Sequence, residues 1–573
     1  MPEVLIIALI WLAGTCYRVY KQARFFQIEE YMGGRFLHWC FARRERWLPS
    51  RPVIAWIAGV VIGLILSEAP GNFVLLVAGT IAAVVGVWPP NEGEVKKGFK
   101  ATPRATRMLG ASFILPIIVL YLFIAISGPL LFNMYPPEAF GGPLPSPEHY
   151  TEIQNAIKKV DTLTIDSVET FGFLLFLCTP LFLIGGNLVM HPVEAFLRRR
   201  FINKAREVLA AVNPVVVGIT GSYGKTTTKN YLAHILSGRY KTYPTPKSYN
   251  TMMGVCIAIN NDMVNDHSIE YFICEMGAYI PGEIERIAEL THPTIGVVVE
   301  VGPQHLERFG SLENISTAKY EIIKALPPDG VGVFNWDNPY VRQMYERDYP
   351  KTRLAVSRTV DPKNVPAGGP RFVASEISES LEGLRFTVSD TRTGESEIFQ
   401  TNLLGEHNVT NVLLATAVAI HEGLKLRDIA YRVRALKPAE SRLVQQTTAQ
   451  GITIINDAYS ANPAGVVSAL KVLALHDKGK RLLITPGMVE LGPLHEPENK
   501  KLGIEAAQYA SDVILVGAEQ TAPIKAGLTE AHFPVEHLQV VEKLADAIDW
   551  YQTNLKAGDT VLFLNDLPET YSS

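Results

Sequence analysis

Val215-Val-Val-Gly-Ile-Thr-Gly-Ser-Tyr-Gly-Lys-Thr-Thr-Thr228 joins an apolar, β-branched run to a glycine-rich turn and the start of a helix. The run predicts a buried strand. Gly221 and Gly224 let backbone amides close around phosphate oxygens, Lys225 supplies a positive charge, and Thr226 offers a hydroxyl to Mg2+. Ser222 and Thr227 belong to the same turn. The spacing is shorter than G-x-x-x-x-G-K-[ST], because Ile219 stands where the first glycine would be and Gly218 lies one residue further upstream. What remains, Thr-Gly-x-x-Gly-Lys-Thr-Thr, suits the phosphates of a nucleoside triphosphate.

Downstream of Pro214, short β-branched runs alternate with helical segments. Examples are Val215–Thr220, Tyr271–Glu275, Thr294–Val301 and Val331–Asn335, then Ile452–Asn456, Arg481–Thr485, Val513–Gly517 and Thr560–Leu564. Such alternation predicts parallel sheets covered by helices on both faces, an α/β class. The runs form two groups, divided near Leu436–Ser441, where Lys437-Pro438 ends a helical stretch. Within the first group, Asp361–Pro370 reads as a loop and Arg371–Val388 as an antiparallel excursion.

Upstream, the character changes. The 573-residue chain is 47% apolar with a net charge of −4, and its apolar excess sits in the first third. That charge gives no footing for a nucleic-acid binder. Five apolar runs have the length and composition of membrane spans: Val4–Tyr20, Pro52–Ser67, Asn72–Trp88, Leu109–Phe132 and Phe171–Met190. Glu68-Ala-Pro-Gly71 would turn the second into the third. Basic residues cluster between the first and second runs, between the third and fourth (Lys96, Lys97, Lys100, Arg104, Arg107), and after the fifth (Arg198, Arg199, Arg200, Lys204, Arg206). The other two connections carry only Lys158 and Lys159 among several acids. Five spans, with the N-terminus outside, put every basic cluster on the cytoplasmic side of an inner membrane. Asn133–Thr170 then reads as a short outer loop with some helix, and the spans carry no convincing charge for a transport path. His191–Ala211 is apolar on one side and basic on the other, suited to an anionic lipid surface or to a plain connecting helix. The five cysteines are scattered with no C-x-x-C pair, so a zinc or redox centre is not expected.

Further clusters follow the strands. Phe272-Ile-Cys-Glu-Met-Gly277 ends a strand with Glu275, where a Mg2+ ligand would face the phosphate loop. Val301-Gly-Pro-Gln-His305 ends another and precedes Ala318-Lys319-Tyr-Glu321. Gly405-Glu-His-Asn-Val-Thr-Asn411 puts Asn408 and Asn411 on one helical face, to meet a base edge or to cap the helix. Asn456-Asp-Ala-Tyr-Ser-Ala-Asn-Pro463 follows a further strand.

In order, TGSYGKTT, CEMGAYIPGEIERI, VGPQHLERFGS, AKYEI, GEHNVTN, ESRLV, INDAYSANP and GMVELG resemble the Mur ligase family, most closely its MurF branch. The resemblance implies a P-loop central domain over residues 201–437 and a Rossmann-like C-terminal domain over 438–573, after a membrane region over 1–200. It implies ATP-dependent amide ligation through an acyl phosphate, with ATP and Mg2+ required. By position, Gly221, Ser222, Gly224, Lys225, Thr226 and Thr227 would hold phosphates, with Thr226, Glu275, His305 and a carbamylated Lys319 at the metal. Asn408 and Asn411 match adenine contacts, Arg442 a γ-phosphate contact, Asp457 a ribose contact, and Tyr459 and Asn462 nucleotide-side positions. Lys225, Lys319, His305 and Arg442 are thereby the catalytic candidates.

Two departures bear on substrate. The family's soluble sugar-nucleotide domain is replaced by membrane sequence, so the implied acceptor is a UDP- or lipid-linked muropeptide met at the membrane. Phe563-Leu-Asn-Asp-Leu-Pro-Glu569 stands where a Lys-Gly-Ser run is usual, and His495 and Asn499 break the family's spacing, leaving the amine as an amino acid or dipeptide. Competing readings are a ligase of another envelope peptide such as poly-γ-glutamate, and a non-catalytic membrane nucleotide sensor or transporter. Joint retention of Glu275, His305, Lys319 and Arg442 weighs against the latter. An amidating relative would need a four-cysteine zinc ribbon, which the sequence lacks.

Overall fold

The computed structural model describes residues 4–29, 31–66, 72–88, 99–136, 147–439, 442–458 and 462–564. The turn expected at Glu68–Gly71, Lys96, Lys97, Tyr459 and the tail from Asn565 lie outside them. The chain divides into two compact units at Arg199/Arg200.

The first unit is helical. Helices Val4–Ile28, Pro103–Phe132 and Thr179–Val212 are long and apolar enough to cross a membrane, while Ser50–Leu66 and Asn72–Val87 are shorter apolar helices. Trp11 packs edge-on against Phe173 and Phe176 in the interior. Large apolar side chains remain exposed along Pro103–Phe132, including Ile117, Tyr121, Leu122 and Ile126. Water would not favour such a band.

Two expectations change here. Much of the proposed outer loop belongs to one helix, Pro147–Leu177, which runs into the expected fifth span. That span is divided between Pro147–Leu177 and Thr179–Val212, with the break at Cys178. Pro180 lacks an N–H and disfavours helical backbone at the residue before it, so a new helix starts there. The helix Pro147–Leu177 also brings an acidic side chain into the interior: Glu169 is fully buried and accepts a hydrogen bond from Trp11 Nε1 at 2.7 Å.

The second unit contains two sheets. The larger comprises β1 (Val215–Thr220), β2 (Thr242–Pro244), β3 (Tyr271–Glu275), β4 (Ile295–Val298), β5 (Val331–Asn335), β6 (Thr352–Ser357), β7 (Phe372–Ser380), β8 (Gly383–Asp390) and β9 (Ser396–Thr401). Its order is β2-β3-β1-β4-β5-β6-β7-β8-β9. Pairing is parallel from β2 to β7, then antiparallel through β8 and β9. β1 lies between β3 and β4, with Val217 opposite Ile273 and Ile295. Its side chains alternate between two cores, as strand geometry requires. Val217 and Ile219 join Tyr231, Leu232 and Leu413 under helices Lys225–Leu236 and His407–His421. Val216 joins the opposite core, with Val208, Ile284 and Ile315. Burial on both faces explains why the strand reads as an unbroken apolar run.

The smaller sheet holds β10 (Val444–Thr447), β11 (Thr453–Asp457), β12 (Arg481–Thr485), β13 (Asp512–Val516), β14 (Leu538–Val541) and β15 (Thr560–Leu564), ordered β10-β11-β15-β12-β13-β14. All neighbours are parallel except β10 and β11. The parallel strands place their C-terminal ends, and the loops that follow, along one edge of the sheet.

Candidate active site

The phosphate-loop candidate begins where β1 ends. Thr220 Oγ1 donates to Met276 O at 2.8 Å, tying the strand end to the loop after β3. Ser222 donates its N–H to Glu300 O at 2.7 Å and its hydroxyl to Gly302 O at 2.9 Å, tying the loop to the end of β4. Gly224 is left-handed, with φ 74°, and a Cβ there would lie 2.6 Å from Asn411 Oδ1 and 2.7 Å from Val299 Cγ1. Only glycine fits. The helix Lys225–Leu236 follows at once, and its first amides carry partial positive charge into the loop.

Lys225 Nζ donates to Gly221 O at 2.6 Å and Ser222 O at 3.0 Å. Burial lowers its pKa to about 8, against an upward pull from Glu275. Lys319, on the helix Leu312–Lys324, is 3% exposed. Burial, reinforced by the charge of Lys225, pushes its ammonium well below the usual lysine range.

Glu275 closes β3 as expected, and it is enclosed. Lys229 Nζ approaches its Oε2 at 3.2 Å and Asn250 Nδ2 donates to Oε1 at 3.0 Å. Sequence reading missed both partners. Lys229 is one helical turn after Lys225, a spacing that places it on the same face and gave the available clue. His305 sits at the N-terminus of the short helix Leu306–Phe309 with φ 55°. Its ring lies 4.6 Å from that of Tyr279, and its Nδ1 hydrogen-bonds Glu490 of the smaller-sheet domain. The His305 contact holds the Glu490 carboxyl below its ordinary range. Among the described residues, no three His, Cys, Asp or Glu side chains converge as a metal cluster.

One cavity is lined from both sheets: Tyr223, Gly224, Thr227, Tyr231, Glu300, His407, Asn408 and Asn411 from the first, and Arg442, Asp457, Asn462 and Gly465 from the second. Asn408 and Asn411 brace as well as line. Tyr231 Oη and Asn411 Nδ2 both donate to Asn408 Oδ1, at 3.1 and 3.2 Å, and Thr228 Oγ1 donates to Asn411 Oδ1 at 3.1 Å. Neither is a helix cap, since that position belongs to Glu406. Asn462 is one: its Oδ1 accepts from Gly465 N at 2.9 Å and starts the helix Pro463–Ala474. Asp457 accepts from Leu443 N at 3.2 Å, and burial raises its carboxyl to about 6. Glu300, which sequence reading also missed, is raised to about 7 by burial, against hydrogen bonds from Asn338 and Asn335. His407 is lowered to about 4, chiefly by burial. Tyr223 Oη and His407 Nδ1 are buried polar atoms without a hydrogen-bond partner.

Within the stretch expected to help select the amine, Asn499 braces the loop after β12. Asn499 is fully buried, receiving Met488 N–H at 2.8 Å and donating to Met488 O and His495 O, each at 2.9 Å.

Both sheets lie almost wholly within segments that match known domain families. Residues 219–419 match the Mur ligase middle domain, and residues 441–565 the Mur ligase, glutamate ligase domain. The UDP-N-acetylmuramoyl-tripeptide–D-alanyl-D-alanine ligase of Escherichia coli (strain K12) is 31% identical over 360 residues, which is 61% of this chain and 76% of that protein. That of Bacillus subtilis (strain 168) is 29% identical over 360 residues, 63% of this chain and 74% of that protein. Among solved structures, MurF from Acinetobacter baumannii aligns with a TM-score of 0.55 at 26% identity, covering 64% of this chain and 77% of that one.

Proposed function

The chain belongs to the Mur ligase family, and we propose that it is a MurF-like, ATP-dependent peptide ligase of peptidoglycan precursor synthesis, held at a membrane by its helical unit. The observation that carries the ligase reading is the shared cavity. Arg442 and Asp457 of one domain line it together with Tyr223, Gly224 and Thr227 of the other.

The chemistry follows from what each side chain presents. A carboxylate is a poor acyl donor, and its attack on the γ-phosphorus of ATP brings like charges together. The phosphate loop and Lys225 offset that charge, Lys225 being mostly protonated at neutral pH with a pKa of about 8. Arg442 adds charge from the opposite domain. The carboxylate oxygen bonds to phosphorus, ADP leaves, and the incoming amine then attacks the acyl carbon and expels phosphate. Enclosing the cleft between two domains keeps water from the acyl phosphate.

The donor set suits Mg2+. The Thr226 hydroxyl and the Glu275 carboxylate, which Lys229 and Asn250 hold in place, would offer it hard oxygen donors, with His305 and Lys319 as further candidates. Bound Mg2+ would neutralise charge on the transferring phosphoryl group. Lys319 also meets the requirement for carbamylation: burial favours its neutral amine, whose lone pair attacks CO2 and releases a proton. The resulting carboxylate would reverse the charge beside Lys225.

For the helical unit, three long apolar helices and the exposed apolar band on Pro103–Phe132 support membrane insertion. Basic side chains at Arg198, Arg199, Arg200 and Lys204 suit anionic headgroups on the cytoplasmic side. The acceptor and amine are identified by mass spectrometry of products from UDP-linked and lipid-linked muropeptides, each offered D-Ala-D-Ala and single amino acids. Amide product with ADP release supports a ligase. ATP turnover indifferent to every acceptor favours a nucleotide sensor.

A further inference from the structure

Glu490 meets His305 across the boundary between the two domains of the ligase unit. Glu490 lies in the loop after β12, and His305 in the loop after β4. Both are non-glycine residues in the left-handed region, at φ 59° and 55°. Such backbone persists only where surrounding contacts hold it, and it concentrates at functional sites. Contacts on both sides are present. Leu494, shortly after Glu490, packs against the apolar cores of both domains. Gly492 rests against Glu307, two residues beyond His305. The Tyr279 ring lies against the imidazole, tilted by 60°.

The hydrogen bond has a chemical consequence. A carboxylate is ionised at neutral pH and can only accept, so the proton in this contact belongs to His305 Nδ1. In the neutral ring, Nε2 then carries the lone pair. That is the tautomer a metal-binding imidazole needs, and a carboxylate behind the ring is the usual device for fixing it. Here the carboxylate comes from the opposite domain.

We infer that Glu490 is a positioning residue that fixes the ring and tautomer of His305 only when the C-terminal domain is seated over the phosphate loop. The inference rests on the ligase reading and on His305 facing the metal. It makes closure a condition for completing the metal site, so that phosphoryl transfer waits until the cleft is shut.

The test uses full-length protein in detergent, Mn2+ as the probe and a non-hydrolysable ATP analogue, with free Mn2+ read by electron paramagnetic resonance. Glu490→Gln should weaken Mn2+ binding about 10- to 100-fold. His305→Ala should weaken it comparably, and the double variant should bind no more weakly than His305→Ala alone. Wild-type affinity in E490Q, or losses that multiply in the double variant, would overturn the inference. Should E490Q fail to fold, E490D replaces it under the same criteria, since it keeps the charge but withdraws the carboxylate. No acceptor is present, so this result is independent of whether the protein ligates. Normal Mn2+ behaviour without any amide product would count against the ligase reading alone.

Discussion

Lys229 and Glu275 form a buried ion pair, Nζ to Oε2 3.2 Å, with both side chains 1% exposed. The pair joins the phosphate-loop helix to the end of β3, and Asn250 completes the carboxylate's hydrogen bonding. Each ion is costly to bury alone, so the two depend on one another. Lys229→Met should cost about 3–5 kcal/mol, because it strands Glu275. Thermal unfolding of the full-length protein reads this as a lower melting temperature. Pairing Lys229→Met with Glu275→Gln should restore much of the loss, and a Lys229→Met protein that melts like wild type would refute the coupling.

Gly224→Ala tests the phosphate cradle. Its Cβ would meet Asn411 Oδ1 at 2.6 Å, in backbone that L side chains rarely adopt. We expect at least about a tenfold loss of affinity for a fluorescent ATP analogue, corresponding to about 1.4 kcal/mol. Unchanged affinity would place the nucleotide elsewhere.

Glu300 sets a pH dependence. Its carboxyl is raised from the ordinary 4.5 to about 7 by burial, so the folded protein holds that proton more tightly than the unfolded chain. The associated stability is fully present below about pH 4.5 and is lost as pH rises through about 7. Glu300→Gln should remove this component, on the order of 3 kcal/mol across that window. Melting temperatures of both proteins at pH 5 and pH 8 check it: the wild type should lose more than the variant on going to pH 8.

The proposed topology is tested by cysteine labelling against the native-cysteine background. Glu152→Cys should react with a membrane-impermeant maleimide in intact cells, and Arg44→Cys only after permeabilisation. The reverse pattern would invert the orientation, and equal labelling would argue against insertion.

The strand, glycine turn and helix start at Val215–Thr228 were legible because their signals are local. A β-branched run, two glycines and a lysine must be neighbours in sequence to work. The strands Tyr271–Glu275 and Val331–Asn335 were legible because burial on both faces leaves a continuous apolar run. Lys229, Asn250 and Glu300 were hidden for the opposite reason: their partners are set by sheet order and helix packing, which no short window contains. The extent of the helix Pro147–Leu177 was hidden by composition. Acidic and basic side chains before Phe171 resemble a solvated loop, although Glu169 turns inward against Trp11. The role of Asn499 was hidden in the same way as that of Lys229. Its amide is consumed by Met488 and His495 within its own domain.

In the proposed reaction the two domains enclose an activated acyl group. Hydroxylamine trapping measures this most directly: the protein is supplied with Mg2+, ATP and a muropeptide acceptor, without an amine, and the acceptor is analysed by mass spectrometry. A hydroxamate that forms with wild type and disappears in Lys225→Ala is the expected result. ATP consumed with no hydroxamate from any UDP-linked or lipid-linked muropeptide would contradict it.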